Sequence, residues 1–173
     1  MKKIILIAFS LALMVSCKEP VKQYTTTSPE IETVKTLHQY FIDSNYEDLK
    51  DLYTEDAEIY ENSLDPISVS EMIKVSQDGR VHVSGYNYKN GVNCEMITNN
   101  AGEKWVNSWA IWVGTLKGSD QELQIPIISR FLFKDGKIAK EYSYWDNLPT
   151  YSAFESLAEE KLDGLQEVLD ETQ

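Results

Sequence analysis

Cysteine, histidine and glycine are scarce in this sequence, and their scarcity excludes several kinds of site. The 173 residues include two cysteines, two histidines and eight glycines. Neither His38 nor His82 has a second histidine or a cysteine at the spacing of a zinc site. The glycines form neither a phosphate-binding loop nor a nucleophile elbow, and the acidic segments lack the glycine of a calcium loop. We therefore expect no bound metal and no cofactor.

Basic side chains are also few. Lysine and arginine together number 16 against 28 aspartates and glutamates, which gives a net charge of -12. A surface of this sign repels nucleic acid and anionic lipid headgroups, so neither is expected as a partner. The acid is concentrated between Glu47 and Glu61 and in the tail from Glu155 to Glu171. The spacing in both segments mostly suits the exposed faces of helices.

A single long hydrophobic run is present, from Ile4 to Val15. It holds 12 residues, whereas a helix that spans a bilayer needs roughly 20. With Lys2 and Lys3 before it, the run has the length and the basic flank of a secretory signal core. It ends in Met14-Val15-Ser16-Cys17, which resembles the lipobox of bacterial lipoproteins. The sequence therefore predicts export.

The lipobox resemblance implies cleavage before Cys17 and attachment of a lipid to that cysteine. Lys18 follows where an aspartate would signal retention in the inner membrane, so a lipid anchor in the outer membrane of the cell envelope is favoured. An ordinary signal peptide followed by an incidental cysteine is the alternative. Residues 1–16 are thus predicted to be a signal peptide. Residues 17–28, which are polar and lack an apolar period, are predicted to be a tether.

Residues 29–148 are predicted to form one domain, followed by a closing helix over residues 149–173. Helical signals come first in the domain. Ser28-Pro29 predicts the start of one helix, and the segments Ser44 to Glu47 and Ser68 to Glu71 have the capping-box pattern of two more.

A sheet is predicted after the helices. From Arg80 to Asp146 the residues alternate with period two between turn sequences such as Asn90-Gly91 and Asp135-Gly136. This pattern predicts five strands in an antiparallel meander. Helices followed by a sheet indicate an α+β fold, in which the helices cover one face of the sheet.

Three parts of this pattern resemble a known family. They are the helical segment from Tyr46 to Ala57, the long strand through Trp109 to Thr115, and the strand pair formed by Arg130 to Ile138 and Tyr144 to Asp146. Over about residues 30–148 they resemble the nuclear transport factor 2-like superfamily, and within it the SnoaL-like members. The resemblance implies a cone-shaped α+β barrel. Its strongly bent antiparallel sheet would hold the N-terminal helices in its concave face and leave a pocket at the open end.

Alternation indicates which strand residues face that pocket. On the strand from Ile125 to Phe133 the odd-numbered side chains are apolar except for Ser129, so these are expected inside. On the next strand the face that carries Ile138 is predicted to point inward. The preceding long strand is expected to supply an aromatic wall. The predicted ligand-binding residues are therefore Trp112, Ser129, Tyr142, Tyr144 and Asp146.

Asp146 is the principal catalytic candidate. In SnoaL-like cyclases and related isomerases an acid near the end of this strand can take part in proton transfer, so the resemblance implies a general base at Asp146. Aromatic surroundings would raise the pKa of its carboxyl toward the range of a general base. The alternative is that Asp146 caps the turn from Asn147 to Pro149. His82 is the candidate for a second polar partner, although a single histidine on a strand is also typical of an exposed or structural position.

Two kinds of function fit these observations. The favoured one is an envelope lipoprotein that binds a small, largely apolar ligand in the cone pocket without catalysis, because no clear second acid or histidine shares the inward faces. The alternative is an enzyme of isomerase, cyclase or hydrolase type that uses Asp146 as general base. A third possibility is a protein-interaction module. Trp105 and Trp109 share the strand face opposite Trp112, and an outward aromatic set would support a homodimer through the outer face of the sheet.

Overall fold

The computed structural model describes residues 23–119 and 121–171. The predicted signal peptide and lipidation site, Cys17, lie outside these ranges. No helix within the described ranges is both long and apolar enough to cross a membrane. The four helices are α1 Pro29–Asp43, α2 Tyr46–Lys50, α3 Val69–Arg80 and α4 Leu148–Glu171. The seven strands are β1 Tyr24–Thr25, β2 Tyr53–Glu61, β3 Val83–Tyr88, β4 Asn93–Thr98, β5 Lys104–Leu116, β6 Glu122–Lys134 and β7 Lys137–Trp145.

Two of the three predicted helix starts are confirmed. The Ser28 side chain accepts a hydrogen bond from the amide of Ile31 at the start of α1. At the start of α3, Ser68 and Glu71 form a reciprocal capping box. The predicted box at Ser44 is wrong, because Ser44 adopts a left-handed conformation that ends α1, and Asn45 caps α2 instead.

The strands form one mixed sheet in the order β1-β4-β5-β6-β7-β2, with β3 also paired to β5. The α+β class is confirmed, and so are five strands after α3. The predicted meander is wrong at one place, because β3 and β4 each pair with a different part of the long β5 and not with each other. The sheet also contains one parallel pair, β2 with β7. This pair brings the end of β2 beside the middle of β7.

The main core lies between α1 and the concave face of the sheet. Val34 and Leu37 of α1 pack there with Phe131 and Phe133 of β6 and with Ile138 of β7. The predicted inward face of β6 is therefore confirmed. A second, smaller cluster joins α4 to the sheet, and it consists of Leu116, Leu123, Ala153 and Leu157. This contact places the first half of α4 beside the open end of the cone.

The predicted tether extends too far into the chain. Tyr24 and Thr25 pair with Ile97 and Met96 of β4, so the sheet begins before residue 28. The sequence does not predict this two-residue strand because it has no apolar period of its own.

One irregularity in β7 decides which residues reach the interior. Phe133 pairs with Ile138, but Leu132 pairs with Lys140, so β7 carries one extra residue at Ala139. Such a bulge reverses the alternation of every residue that follows it. Ile138 is therefore buried as predicted, whereas beyond the bulge the buried residues are Glu141 and Ser143. The predicted inward face of Tyr142, Tyr144 and Asp146 is wrong for this reason.

Candidate functional site

A cavity of about 320 Å³ opens between the concave face of the sheet, α1, α3 and α4. Helix α1 contributes His38 and Phe41, and α3 contributes Val75 and Arg80. Helix α4 borders the cavity through Thr150 and Phe154. The sheet supplies the remaining wall with Glu61, Val83, Tyr86, Tyr88, Trp112, Ile125, Ile127, Ser129, Glu141, Ser143 and Trp145. The cavity is largely apolar, so each polar group in it is conspicuous.

A row of polar side chains crosses the floor of the cavity. Register places Ser108 of β5 opposite Ser129 of β6, Ser129 opposite Ser143 of β7, and Ser143 beside Glu61 of β2. The three serines are 1%, 2% and 4% exposed. The hydroxyls of Ser129 and Ser143 are 2.7 Å apart and share a hydrogen bond. Four neighbouring strands thus each contribute one polar side chain at the same level of the cone.

Glu141 is the buried acid beneath this row. Its carboxylate accepts hydrogen bonds from the hydroxyl of Tyr53 at 2.5 Å and from the hydroxyl of Ser143 at 2.7 Å. Burial raises the pKa of Glu141, although both hydrogen bonds act in the opposite direction. Burial also raises the pKa of Tyr53 well above its ordinary value, with the negative charge of Glu141 adding to the rise. Tyr53 therefore stays a hydroxyl donor at physiological pH.

Glu61 is the second acid of the cavity. It ends β2 and shares the inward face with the buried residues Ala57 and Ile59. Burial raises the pKa of the Glu61 carboxyl to about 7, and the nearby Glu141 carboxylate adds to the rise. A carboxyl with this pKa exists in both protonation states near neutral pH. That is the property required of a group that removes a proton and later returns it.

His38 provides the third titratable group. Its Nε2 lies 3.3 Å from the hydroxyl of Ser108, and its ring meets Tyr88 edge to face at 4.8 Å between centroids. Burial lowers the pKa of His38 to about 4, so the ring is neutral at pH 7. Its Nδ1 is buried and has no hydrogen-bond partner among the described residues. A neutral imidazole in this position can donate or accept a hydrogen bond with a ligand, according to its tautomer, without adding charge to the cavity.

The wall of the cavity around Tyr86 carries two nitrogen donors. The guanidinium of Arg80 lies over the ring of Tyr86 at 4.4 Å, and the indole of Trp112 meets the same ring at 5.5 Å. The indole of Trp112 folds across Gly114, where an added Cβ would lie only 2.4 Å from it. Gly114 therefore makes room for the position of Trp112.

Solved structures of proteins from several organisms have folds similar to that of this chain. IdmH from Streptomyces antibioticus, a proposed polyketide cyclase, is 15% identical with a TM-score of 0.58, over 73% of this chain and 97% of that chain. A proposed SnoaL-like polyketide cyclase from Shewanella putrefaciens is 10% identical with a TM-score of 0.53, over 73% of this chain and 96% of that chain. A nuclear transport factor 2-like protein from Burkholderia xenovorans is 13% identical with a TM-score of 0.57, over 75% and 98%. The chain has the nuclear transport factor 2-like fold.

The predicted resemblance to SnoaL-like proteins is therefore confirmed at the level of the fold. Neither the protein-family profiles nor the curated proteins compared with the sequence contain a match. This fold carries many unrelated activities, so the function of this domain depends on the residues of its own cavity.

Three of the residues predicted to act in the pocket do line it: Trp112, Ser129 and His82. His82 lies at the mouth, where its ring meets Phe154 edge to face at 5.7 Å. The inward position of Trp112 agrees with the outward position of Trp109, which lies on the opposite face of the same strand.

The other three predicted pocket residues lie elsewhere. Tyr142 stacks on Tyr60 at 4.6 Å on the outer face of the sheet, and Tyr144 is 50% exposed there. Asp146 is exposed, and its Oδ1 accepts a hydrogen bond from the amide of Leu148 at 2.9 Å. Asp146 thus caps the turn into α4, as the alternative interpretation had it, and does not border the cavity.

The outer face of the sheet carries its own apolar row. Register aligns Trp109, Ile128 and Tyr144 on three neighbouring strands, and all three side chains are exposed. Trp105 and Trp109 lie on the face of β5 opposite Trp112, as the alternation predicts. Association of two copies through this face stays a prediction.

The sequence analysis does not identify Glu61, Glu141 or His38 as cavity residues, although two of these positions carry a signal in the sequence. His38 lies one turn after Val34 on the apolar stripe of α1. Glu61 continues the alternation of Ala57 and Ile59 on β2, which places it on the inward face of that strand. The prediction that the acidic segment from Glu47 to Glu61 lies on exposed helix faces is therefore wrong for Glu61. Glu141 had no such signal, because only the bulge at Ala139 turns it inward.

Proposed function

We propose that this domain is an acid–base catalyst that moves a proton within a small, largely apolar molecule held in the cavity. The observation that carries the proposal is Glu61, a mostly buried carboxyl with a pKa of about 7 beside a second buried acid. Groups with such pKa values cluster at active sites, because a general acid–base catalyst works best when its pKa lies near the working pH.

The residues divide naturally into a base and a set of hydrogen-bonding groups. The Glu61 carboxylate removes a proton from a carbon next to a carbonyl group, and the negative charge develops on the carbonyl oxygen. The neutral imidazole of His38, whose Nδ1 has no partner among the described residues, donates to that oxygen in its Nδ1–H tautomer. Glu61, now protonated, returns the proton to a different carbon. The net reaction is then an isomerisation. If the carbanion instead attacks a second carbonyl carbon, Glu61 returns the proton to the alkoxide oxygen that forms there, and the reaction is a ring closure. Neither reaction consumes a co-reactant.

Glu141 acts on Glu61 through its charge, and Tyr53 acts by hydrogen bonding to Glu141. When Glu141 is ionised it disfavours ionisation of Glu61, which keeps the pKa of Glu61 high. The hydrogen bonds from Tyr53 and Ser143 hold the Glu141 carboxylate in place. We therefore assign Glu141 and Tyr53 as positioning residues.

Binding without catalysis is the other use of the same cavity. The sequence favoured it because no second acid or histidine was expected on the inward faces. Glu61, Glu141 and His38 all line the cavity, which removes that reason. The largely apolar wall supports a ligand of the predicted kind in either case.

The ring-opening elimination of 5-nitrobenzisoxazole tests for a base in the cavity. In this reaction a base removes one proton from carbon while the N–O bond breaks to give a coloured phenolate. We expect saturable turnover whose kcat/KM rises with pH and reaches half its maximum near pH 7, because Glu61 must be ionised to act. Saturable binding of the probe, seen by quenching of tryptophan fluorescence, with no turnover above that of the buffer would instead support binding alone.

We also propose that the domain is an envelope lipoprotein anchored through Cys17. The signal-like run and the lipobox resemblance support this proposal. Cys17→Ser should move the protein from the membrane fraction to the soluble fraction, because the lipid on one cysteine is the proposed anchor. Cys94→Ser changes the other cysteine and should leave the protein with the membranes. Immunoblots of fractions washed in high salt measure both, and retention of the Cys17 variant on membranes would contradict the lipid anchor.

A further inference from the structure

Arg80 is a cation that has no anionic partner among the described residues, although the chain is acidic. Its Nη2 donates to the backbone carbonyls of Phe41 and Ile42 at the end of α1, which fixes the plane of the guanidinium. No carboxylate lies within ion-pair distance of Arg80 in residues 23–119 and 121–171. Its Nε is buried and has no hydrogen-bond partner within the same ranges. The guanidinium is thus held rigidly while one of its donors is left unused.

Trp112 presents a second unused donor on the same wall of the cavity. Its Nε1 is buried and lacks a hydrogen-bond partner in the part of the chain that the structure describes. Trp112 and Arg80 both contact the ring of Tyr86 and both line the cavity, so the two side chains are neighbours in its wall. Buried N–H groups without an acceptor are rare and destabilising in folded proteins. A ligand that brings an acceptor to this wall would supply the partner that these side chains lack among the described residues.

We propose that this wall binds the carboxylate of a small organic acid whose apolar part fills the rest of the cavity. The guanidinium attracts a carboxylate through its charge, and its unused Nε–H can supply a charge-assisted hydrogen bond to one carboxylate oxygen. The surrounding apolar side chains, among them Phe41 and Val83, strengthen such a bond by excluding water. The proposal deepens the function proposed above by naming its substrate class, and it rests on the same cavity but not on proton transfer by Glu61.

Paired binding of 1-naphthoate and 1-naphthamide tests the proposal. The two probes share one aromatic body and differ in the charge of one group. By isothermal titration calorimetry at pH 7.5 we expect the wild-type domain to bind the carboxylate about 10- to 100-fold more tightly than the amide, which is the usual effect of a charged hydrogen bond. Equal binding of the two probes, or tighter binding of the amide, would overturn the proposal.

Variants show which side chain causes the tighter binding of 1-naphthoate. Arg80→Gln should abolish it while leaving the affinity for the amide within a few-fold, and Trp112→Phe should reduce it by removing only the indole N–H. Arg130→Gln is the matched control, because Arg130 also lies over an aromatic ring, that of Trp105, but on the outer face of the sheet. If the preference for the carboxylate survives in Arg80→Gln, or disappears equally in Arg130→Gln, Arg80 is not the binding group.

The test remains informative if the Arg80 variant does not fold or if Glu61 is not a base. Arg80 bonds the end of α1, so Arg80→Gln can lower stability. If it does not fold, the wild-type preference and its reduction in Trp112→Phe decide the question. Glu61→Gln should keep the preference for naphthoate even when turnover is lost. The carboxylate site and the proton transfer can therefore fail separately.

Discussion

Replacing Glu61 with glutamine is expected to lower the turnover of 5-nitrobenzisoxazole at pH 8 by roughly 100- to 10,000-fold, the usual contribution of a general base. Glutamine keeps the size and polarity of the side chain but cannot accept the proton. The loss should fall on kcat, with little change in the affinity for the probe, because only the proton transfer is removed. Stopped-flow or steady-state absorbance of the phenolate product measures both parameters.

Glu58→Gln is the matched control for this experiment. Glu58 lies on the same strand but on the outer face, where it bonds Lys140 and Tyr60. The same change of acid to amide there should leave turnover unchanged. If Glu58→Gln and Glu61→Gln lose the same activity, or if neither loses any, Glu61 is not the base.

Stability against pH shows whether the Glu61 variant is folded and whether the pKa assignment is right. The pKa of Glu61 is raised from 4.5 to about 7 in the folded protein, so the folded state binds the proton more tightly than the unfolded state. The resulting stabilisation is complete at low pH and is lost as the pH rises through 7. Relative to the wild type, the free energy of unfolding of Glu61→Gln should therefore increase by about 2 to 3 kcal/mol between pH 5 and pH 8. Urea denaturation at the two pH values measures it.

Phe131→Ala is expected to destabilise the fold by about 3–5 kcal/mol, the cost of removing a large buried aromatic side chain and leaving a cavity. Phe131 is 1% exposed and lies in the main core between α1 and the sheet. Its ring also meets His38 edge to face at 6.4 Å, so the loss should loosen the floor of the candidate site. A loss of about 3–5 kcal/mol is a large share of the free energy of unfolding of a typical domain.

Ile128→Ala is the control for Phe131→Ala. It removes an apolar side chain from the same strand, but Ile128 is 60% exposed on the outer face. Its cost should stay below about 1 kcal/mol, as is usual for exposed positions. Guanidinium denaturation of both variants at one pH compares them. An unchanged midpoint for Phe131→Ala would contradict the assigned inward face of β6.

The candidate site was only partly predictable from the sequence, and the strands show why. On β6 the alternation runs without interruption against β5 from Glu122 to Phe133, so the inward position of Ser129 follows from its parity with Phe131. On β7 the same reasoning placed Tyr142, Tyr144 and Asp146 inside and Glu141 outside. The prediction is wrong because the alternation of inward and outward side chains holds only up to the next bulge. The single extra residue at Ala139 cannot be recognised from the amino-acid sequence.

The sequence by itself determined the class of fold, the five strands that follow α3, the start of α1 and α3 and the apolar stripe of α1. These depend on interactions among residues that are close in the chain, such as caps, turns and the period of apolar side chains. The tertiary structure alone decided that Glu61 and Glu141 share a cavity with His38. It also decided that Nε of Arg80 and Nε1 of Trp112 are buried without an acceptor among the described residues. A raised carboxyl pKa and an unused donor both arise from burial beside particular neighbours. Those neighbours come from distant segments that only strand register and helix packing bring together.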